Sequence, residues 1–308
     1  MLLDQGESSV LVESPTYSGA LAALYPMRLN IAKVPSDDDG LQPDALQHTL
    51  ETWDESKAPR PRVLYTVPNG CNPTGASLSL NRRHRVYELC CEHDIIIMED
   101  DPYFYLQYTS PRLPSLFSLD TEGRVLRFDS FSKIVSSGLR MGFVSGPPAL
   151  LEQLQLHGQA VSLHASGISQ ALLLKVLEAW GADGFHQHVN EVVAFYARQK
   201  EAFFASAERH LSGLASWNPH VSAGMFAWLK THVPDTKALI QEKAVDAKVL
   251  LVPGEAFIAP DKCDLRAQRF DALPRSPSPY VRAAYSTATP QDMDTALQRL
   301  ASLLRAEQ

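Results

Sequence analysis

The chain has 308 residues, 45% of them hydrophobic and 20% charged, with a formal net charge of -7. That length and composition allow a sizeable core spread over two lobes, and the acidic balance offers no basic field to gather a phosphodiester backbone, which sets nucleic-acid binding aside. No run approaches the ~18 consecutive apolar residues of a membrane span, and Asp4 falls where a secretory signal needs a basic start and an apolar core.

In chain order, short apolar, β-branched runs alternate with helical segments: "SVLVES", "RLNIAKV", "PRVLYTV", "DIIIMED", "RVLRFDS" and "RMGFVSG", with amphipathic stretches such as "SLNRRHRVYELCCEHD" between them. Runs apolar on both faces suit a mostly parallel sheet covered by helices on each side, so the fold class is α/β. From about residue 148 the pattern becomes consecutive helices, "PALLEQLQLHGQAVSLHAS", "SQALLLKVLEAW" and the long "FHQHVNEVVAFYARQKEAFFASAERHL", the last linking two lobes. Beyond Gly213, strands at "AGMFAWLKT", "KVLLVPGEAF" and "YVRAAYS" and helices at "TKALIQEKAVDA" and "PQDMDTALQRLASLLRAE" describe a smaller α+β lobe, with Pro290 near the start of the final helix. The division predicted is 1–182 for a large domain and 183–308 for a small one. The stretch 259–279, with mixed charges and four prolines, reads as an exposed loop.

The four cysteines, Cys71, Cys90, Cys91 and Cys263, show no C-x-x-C spacing and no histidine at metal-ligand distance, which predicts reduced thiols, no disulfide and no metal. Histidines such as His157, His164 and His188 lie in helical stretches without paired spacing and read as structural. With no targeting segment visible, the cytoplasm and the mitochondrial matrix both stay open as compartments.

In an open α/β sheet, ligands gather beyond the carboxyl ends of the strands. Three polar clusters fall there: "VLYTVPNGCNPTG", "IIIMEDDPY" and "RVLRFDSFSK". Each alone has a bland reading as a turn, a solvated acid or a surface charge. Their joint order is more specific: N-P-T-G, then D-x-x-Y, then S-x-S-K with an arginine seven residues on.

That order resembles the fold-type I pyridoxal-phosphate enzymes, specifically the class I/II aminotransferases, over nearly the whole chain from about residue 10. "LYTVPNG", "EDDPY" and "DSFSKIVSSGLRMGF" are similar to the versions found in the kynurenine/2-aminoadipate subgroup. The resemblance implies pyridoxal 5'-phosphate as cofactor, amino acids and 2-oxo acids as substrates, and a homodimer. It implies that Lys133 forms the Schiff base with the cofactor and then acts as general base, its pKa lowered by shelter from water and neighbouring cations. Asp100 pairs with the pyridinium nitrogen, and Asp101 is the competing candidate. Tyr103 and Asn72 hydrogen-bond the phenolic oxygen. Ser130, Ser132 and Arg140 converge on the phosphate. Tyr17 stacks on the ring, and Arg282 holds the substrate α-carboxylate. Cys71 interrupts the turn before Asn72 and so falls near the cofactor.

Family members carry, ahead of "VLVESP", an arm, a strand and a small Gly-Ser-Gln-type turn whose amides cap the phosphate. This sequence has no counterpart, so the resemblance implies an N-terminally truncated chain with part of its phosphate cradle and pocket wall missing. The function expected is transamination of a kynurenine, 2-aminoadipate or aromatic amino acid with 2-oxoglutarate. The competing readings are another reaction on the same scaffold, such as a lyase, and a cofactor-poor, inactive chain. An aminotransferase-like transcription regulator needs a basic winged-helix module that is not present.

Overall fold

The computed structural model describes residues 2–260 and 276–308. The first strand, β1 (Ser9–Ser14), is buried along nearly its whole length. A strand buried on both faces has to pair on both edges and be covered from both sides. Helix α1 (Ser18–Leu24) follows it, and β2 (Asn30–Asp37) then turns into β3 (Gly40–Leu41). Helix α2 (Pro43–Glu51) starts with proline in its first turn, where the missing N–H costs nothing. Next come β4 (Val63–Thr66), α3 (Leu80–Glu92), β5 (Ile96–Asp100), α4 (Leu116–Leu119), β6 (Val125–Ser130) and β7 (Gly142–Ser145).

These strands form one seven-stranded sheet in the order β3-β2-β1-β4-β5-β6-β7. The pairs from β2 through β6 are parallel, while β3 and β7 are antiparallel edges. Successive side chains of a strand point to opposite faces, and the core divides accordingly. Val10, Val12, Val63 and Tyr65 pack into one cluster, whereas Leu11, Leu64, Ile97 and Val125 pack into the other.

Helix α5 (Pro148–Val161) buries none of its residues. Helix α6 (Gly167–Leu211) runs 45 residues and is broken at Gly181, whose φ of 59° and ψ of -170° are not helical. The second sheet is antiparallel and four-stranded, ordered β10-β11-β9-β8 from β8 (Ala215–Ser216), β9 (Phe226–Thr231), β10 (Val252–Pro253) and β11 (Tyr280–Ala284). Helix α7 (Pro290–Ala306) closes the chain, capped by Thr289 and packed on α6.

Two expectations change in detail. The strand anticipated over "KVLLVPGEAF" pairs only at Val252–Pro253, and Leu250 ahead of it points into solvent, 85% exposed. The helix at "TKALIQEKAVDA" contains a π-helical segment, Leu239–Ala244. The two-residue strands β3 and β8 had no signal in the sequence. Most of the 259–279 loop, with Cys263, lies outside the described residues. Among the described residues, Cys71, Cys90 and Cys91 are free thiols, no group of side chains could hold a metal ion, and no helix is long and apolar enough to cross a membrane.

Candidate active site

The parallel strands all end at the same edge of the sheet, so the chain leaves β1, β4, β5 and β6 into four neighbouring loops. Those loops bring Tyr17, Asn72, Asp100, Tyr103, Ser130, Ser132, Lys133 and Arg140 around one cavity of about 600 Å3, and β11 of the second sheet adds Arg282. All nine residues singled out in the sequence therefore line the same space. Ser18, Val67, Pro102 and Phe226 complete the wall.

Strand alternation separates the two candidate aspartates. Asp100 shares a face with Tyr65, since Tyr65 is in register with Met98 two residues earlier on the same side of β5. Its Oδ2 accepts the Tyr65 hydroxyl at 2.6 Å. Burial raises the Asp100 pKa, and the Tyr65 hydrogen bond opposes that rise. Asp101 points away from the cavity. It is fully buried, accepts both its hydrogen bonds from Asn69 Nδ2 at 2.8 and 3.0 Å, and faces Arg127 at 3.9 Å. Burial and then the charge of Glu99 push it up to about 7.

Three of the lining side chains, Lys133, Arg140 and Arg282, are cationic. Lys133 is half-buried, and its pKa is lowered by desolvation first, then by Arg140 and Arg282. Arg140 sits in a left-handed conformation, φ 52°, at the end of a 3-10 turn, and reaches Ser132 Oγ at 3.4 Å and the Ser137 carbonyl at 3.3 Å. Ser130 Oγ accepts the Ser132 amide at 3.1 Å, which holds both hydroxyls on one tight turn. Arg282 stacks its guanidinium on Phe226 and Phe257, at 4.5 and 5.0 Å from the ring centres. Its Nη1 donates to Asn72 Oδ1 at 2.9 Å, and its buried Nε has no hydrogen-bond partner among the described residues. Burial lowers its pKa.

The Asn72 turn is held from behind. Arg83, fully buried on α3, donates to Leu78, Pro68 and Pro114 carbonyls and to Asn69 Oδ1. Glu13 on β1 accepts from Thr66 Oγ1, the Val67 amide and the Cys71 thiol. Cys71 is not among the lining residues: it is buried behind the turn, its pKa raised well above that of an ordinary thiol by burial and then by Glu13. At the mouth, Gly19 makes room for Tyr17, because an added Cβ there would lie 2.3 Å from the Tyr17 ring. His188 meets the Ile134 carbonyl at 2.6 Å, directly behind Lys133.

Tyr65, Phe226 and Gly19 were missed in the sequence. A same-face pairing across β4 and β5 depends on register, which the sequence does not print; only the alternation of each strand by itself was visible.

The sequence profile of the aminotransferase class I and II family matches residues 1–300. The chain belongs to this family. Among similar proteins, the mitochondrial kynurenine/alpha-aminoadipate aminotransferase of Mus musculus is 44% identical over 312 residues, covering 99% of this chain and 70% of the mouse protein. A Pyrococcus horikoshii kynurenine aminotransferase crystallised with PMP superposes with a TM-score of 0.87 at 27% identity, over 99% of this chain and 71% of that one. The alpha-aminoadipate aminotransferase of Thermus thermophilus, complexed with N-(5'-phosphopyridoxyl)-L-leucine, gives 0.86 at 28% identity, over 99% and 72%. This aminotransferase thus has the fold-type I architecture, and its cofactor is pyridoxal phosphate. The cavity fits that group: its lining combines two guanidiniums and an ammonium, without a carboxylate partner among the described residues, with two serine hydroxyls and the Asp100 carboxylate.

Proposed function

We propose that this aminotransferase moves the amino group of a kynurenine, 2-aminoadipate or aromatic amino acid to 2-oxoglutarate. The observation that carries the reading is the gathering of Lys133, its two flanking guanidiniums and Asp100 around one cavity. The named activities of the mouse and Pyrococcus horikoshii proteins support the substrate class.

Pyridoxal phosphate, when bound, supplies a ring that accepts the electrons left as the substrate Cα proton departs. The Lys133 Nζ, its pKa lowered by burial and then by its cationic neighbours, would anchor the cofactor and serve as the base for that proton. Ser130, Ser132 and Arg140 would bind the phosphate. Asp100 would pair with the ring nitrogen, and Asn72 and Tyr103 would hold the phenolic oxygen. Tyr17 would stack on the ring. Arg282, with an unpartnered Nε in an apolar setting, binds the substrate α-carboxylate.

Purified protein loaded with pyridoxal phosphate is expected to form one glutamate per amino acid consumed when given 2-oxoglutarate, and borohydride reduction is expected to fix the cofactor on Lys133. A label on another lysine, or keto-acid release without glutamate, overturns the assignment. Lys133→Ala is expected to lower kcat by at least about a thousandfold, since both anchor and base are removed.

The same reading places a domain boundary near Gly181, at 1–182 and 183–308, supported by the break in α6 and the two separate sheets. It also pairs this chain with a second copy. Apolar residues from the end of α5, through the connection that follows, to the start of α6, Val161, Leu163, Ile168 and Leu172 among them, are exposed close together in sequence, and apolar patches of this kind mark association surfaces. Light scattering at several concentrations tests the dimer. The compartment suggested by the mouse relative's name is the mitochondrion.

A further inference from the structure

We propose that Tyr65 is a positioning residue for the reaction: its hydroxyl orients Asp100 and keeps it ionised, so that the aspartate meets the cofactor ring nitrogen as a charged acceptor. The inference rests on the role of Asp100 given above.

Tyr65 stands one residue before the end of β4, buried at 8% exposure in the cluster beneath the site, and is absent from the cavity lining. It approaches Asp100 from the protein side, and its hydroxyl donates to Oδ2 at 2.6 Å. Among the described residues, this is the one side-chain hydrogen bond Asp100 makes, and no cation lies within ion-pair distance of it. A carboxylate buried without a cation tends to pick up a proton, and a neutral acid would be a poor partner for a protonated ring nitrogen. A hydroxyl donating to an ionised carboxylate forms one of the stronger hydrogen bonds available. By occupying Oδ2, it leaves Oδ1 without a hydrogen bond among the described residues.

The direction of the bond is fixed by the surroundings. The titratable groups facing the pair are Glu13 from β1, Cys71 from the turn after β4 and Tyr103 after β5, and burial pushes each toward its uncharged form. The Tyr65 phenol is itself raised well above its usual range by burial and then by Asp100, so the proton stays on tyrosine. Tyr65 is therefore the donor throughout the neutral range, and its removal leaves the carboxylate with no hydrogen bond from the described residues.

The test is Tyr65→Phe in the otherwise intact chain. The loss of a hydrogen bond to a buried charged group predicts a cofactor dissociation constant raised roughly 10- to 100-fold. In the apoprotein, the ionisation midpoint of Asp100, read by carbon NMR of labelled aspartate, moves up. In the loaded protein, the pH dependence of the visible band of the cofactor shifts, and kcat falls while KM for the amino acid stays within about threefold. Fluorotyrosine at position 65 supplies the complementary arm: a more acidic phenol is expected to lower the Asp100 midpoint with no change in shape, which a purely packing role would not do. It also serves if Tyr65→Phe folds poorly. An unchanged Asp100 midpoint with fluorotyrosine, or an unchanged dissociation constant in Tyr65→Phe, overturns the inference. Asp100→Asn separates this from failure of the underlying reading: if that variant also binds the cofactor normally, the Asp100 role itself falls.

Discussion

Lys133 lines the cleft together with Arg140 and Arg282, whose charges lower its pKa, and the size of that effect is open to experiment. A lysine whose pKa is depressed in the fold offers a free amine at lower pH than an ordinary one. Arg140→Gln removes one of the depressing charges, so the pH at which Lys133 of the apoprotein reacts with an aldehyde probe is expected to rise by about half a unit to one unit. Asp101 behaves in the opposite sense to most carboxylates. Burial holds its pKa at about 7, so between the ordinary aspartate value and that point the folded chain keeps a proton that the unfolded chain releases. Stability from this group is greatest at low pH and falls as pH rises toward 7. Asp101→Asn, measured by urea unfolding at pH 5 and pH 8, is expected to flatten that slope. Seven of the predicted site residues, from Asn72 to Arg140, were legible in the sequence because each sits in a motif with fixed spacing, whereas Tyr17 and Arg282 followed from the family resemblance alone. Tyr65 was not, for it acts across two strands whose register only folding sets.

Among the elements, the strands of the large sheet were readable as apolar runs, since burial on both faces writes a continuous signal into each. The short strands β3 and β8 carry too few residues to show any period, and Leu250 extended an apolar run past the point where pairing stops. One close contact between elements governs the site. Gly70, in the turn that carries Asn72, and Gly224, ahead of β9, press backbone against backbone with φ values of 50° and 79°. A Cβ at Gly224 would lie 2.8 Å from the Gly70 carbonyl oxygen. Gly224→Ala is expected to destabilise the fold by about 1–3 kcal/mol, from left-handed strain and displaced backbone together. The check is a chemical-denaturation midpoint, with a weakened affinity for the cofactor as the second readout because the Asn72 turn moves.

At the scale of the molecule, α5 has no buried residue and the first half of α6 continues its apolar surface, with Ile168 76% exposed. If two copies meet there, a charge at the centre is costly to bury. Ile168→Glu is expected to shift the protein toward monomer in sedimentation velocity while leaving its circular dichroism unchanged. The hydrogen bond from Arg282 to Asn72 has a wider consequence, because it joins a strand of one sheet to a loop of the other. An anion that engages the guanidinium bears on both sheets at once. Occupancy of the cleft and the relative placement of the two sheets are then linked quantities: whatever an incoming carboxylate does to that placement, the placement returns to the affinity for that carboxylate in equal measure.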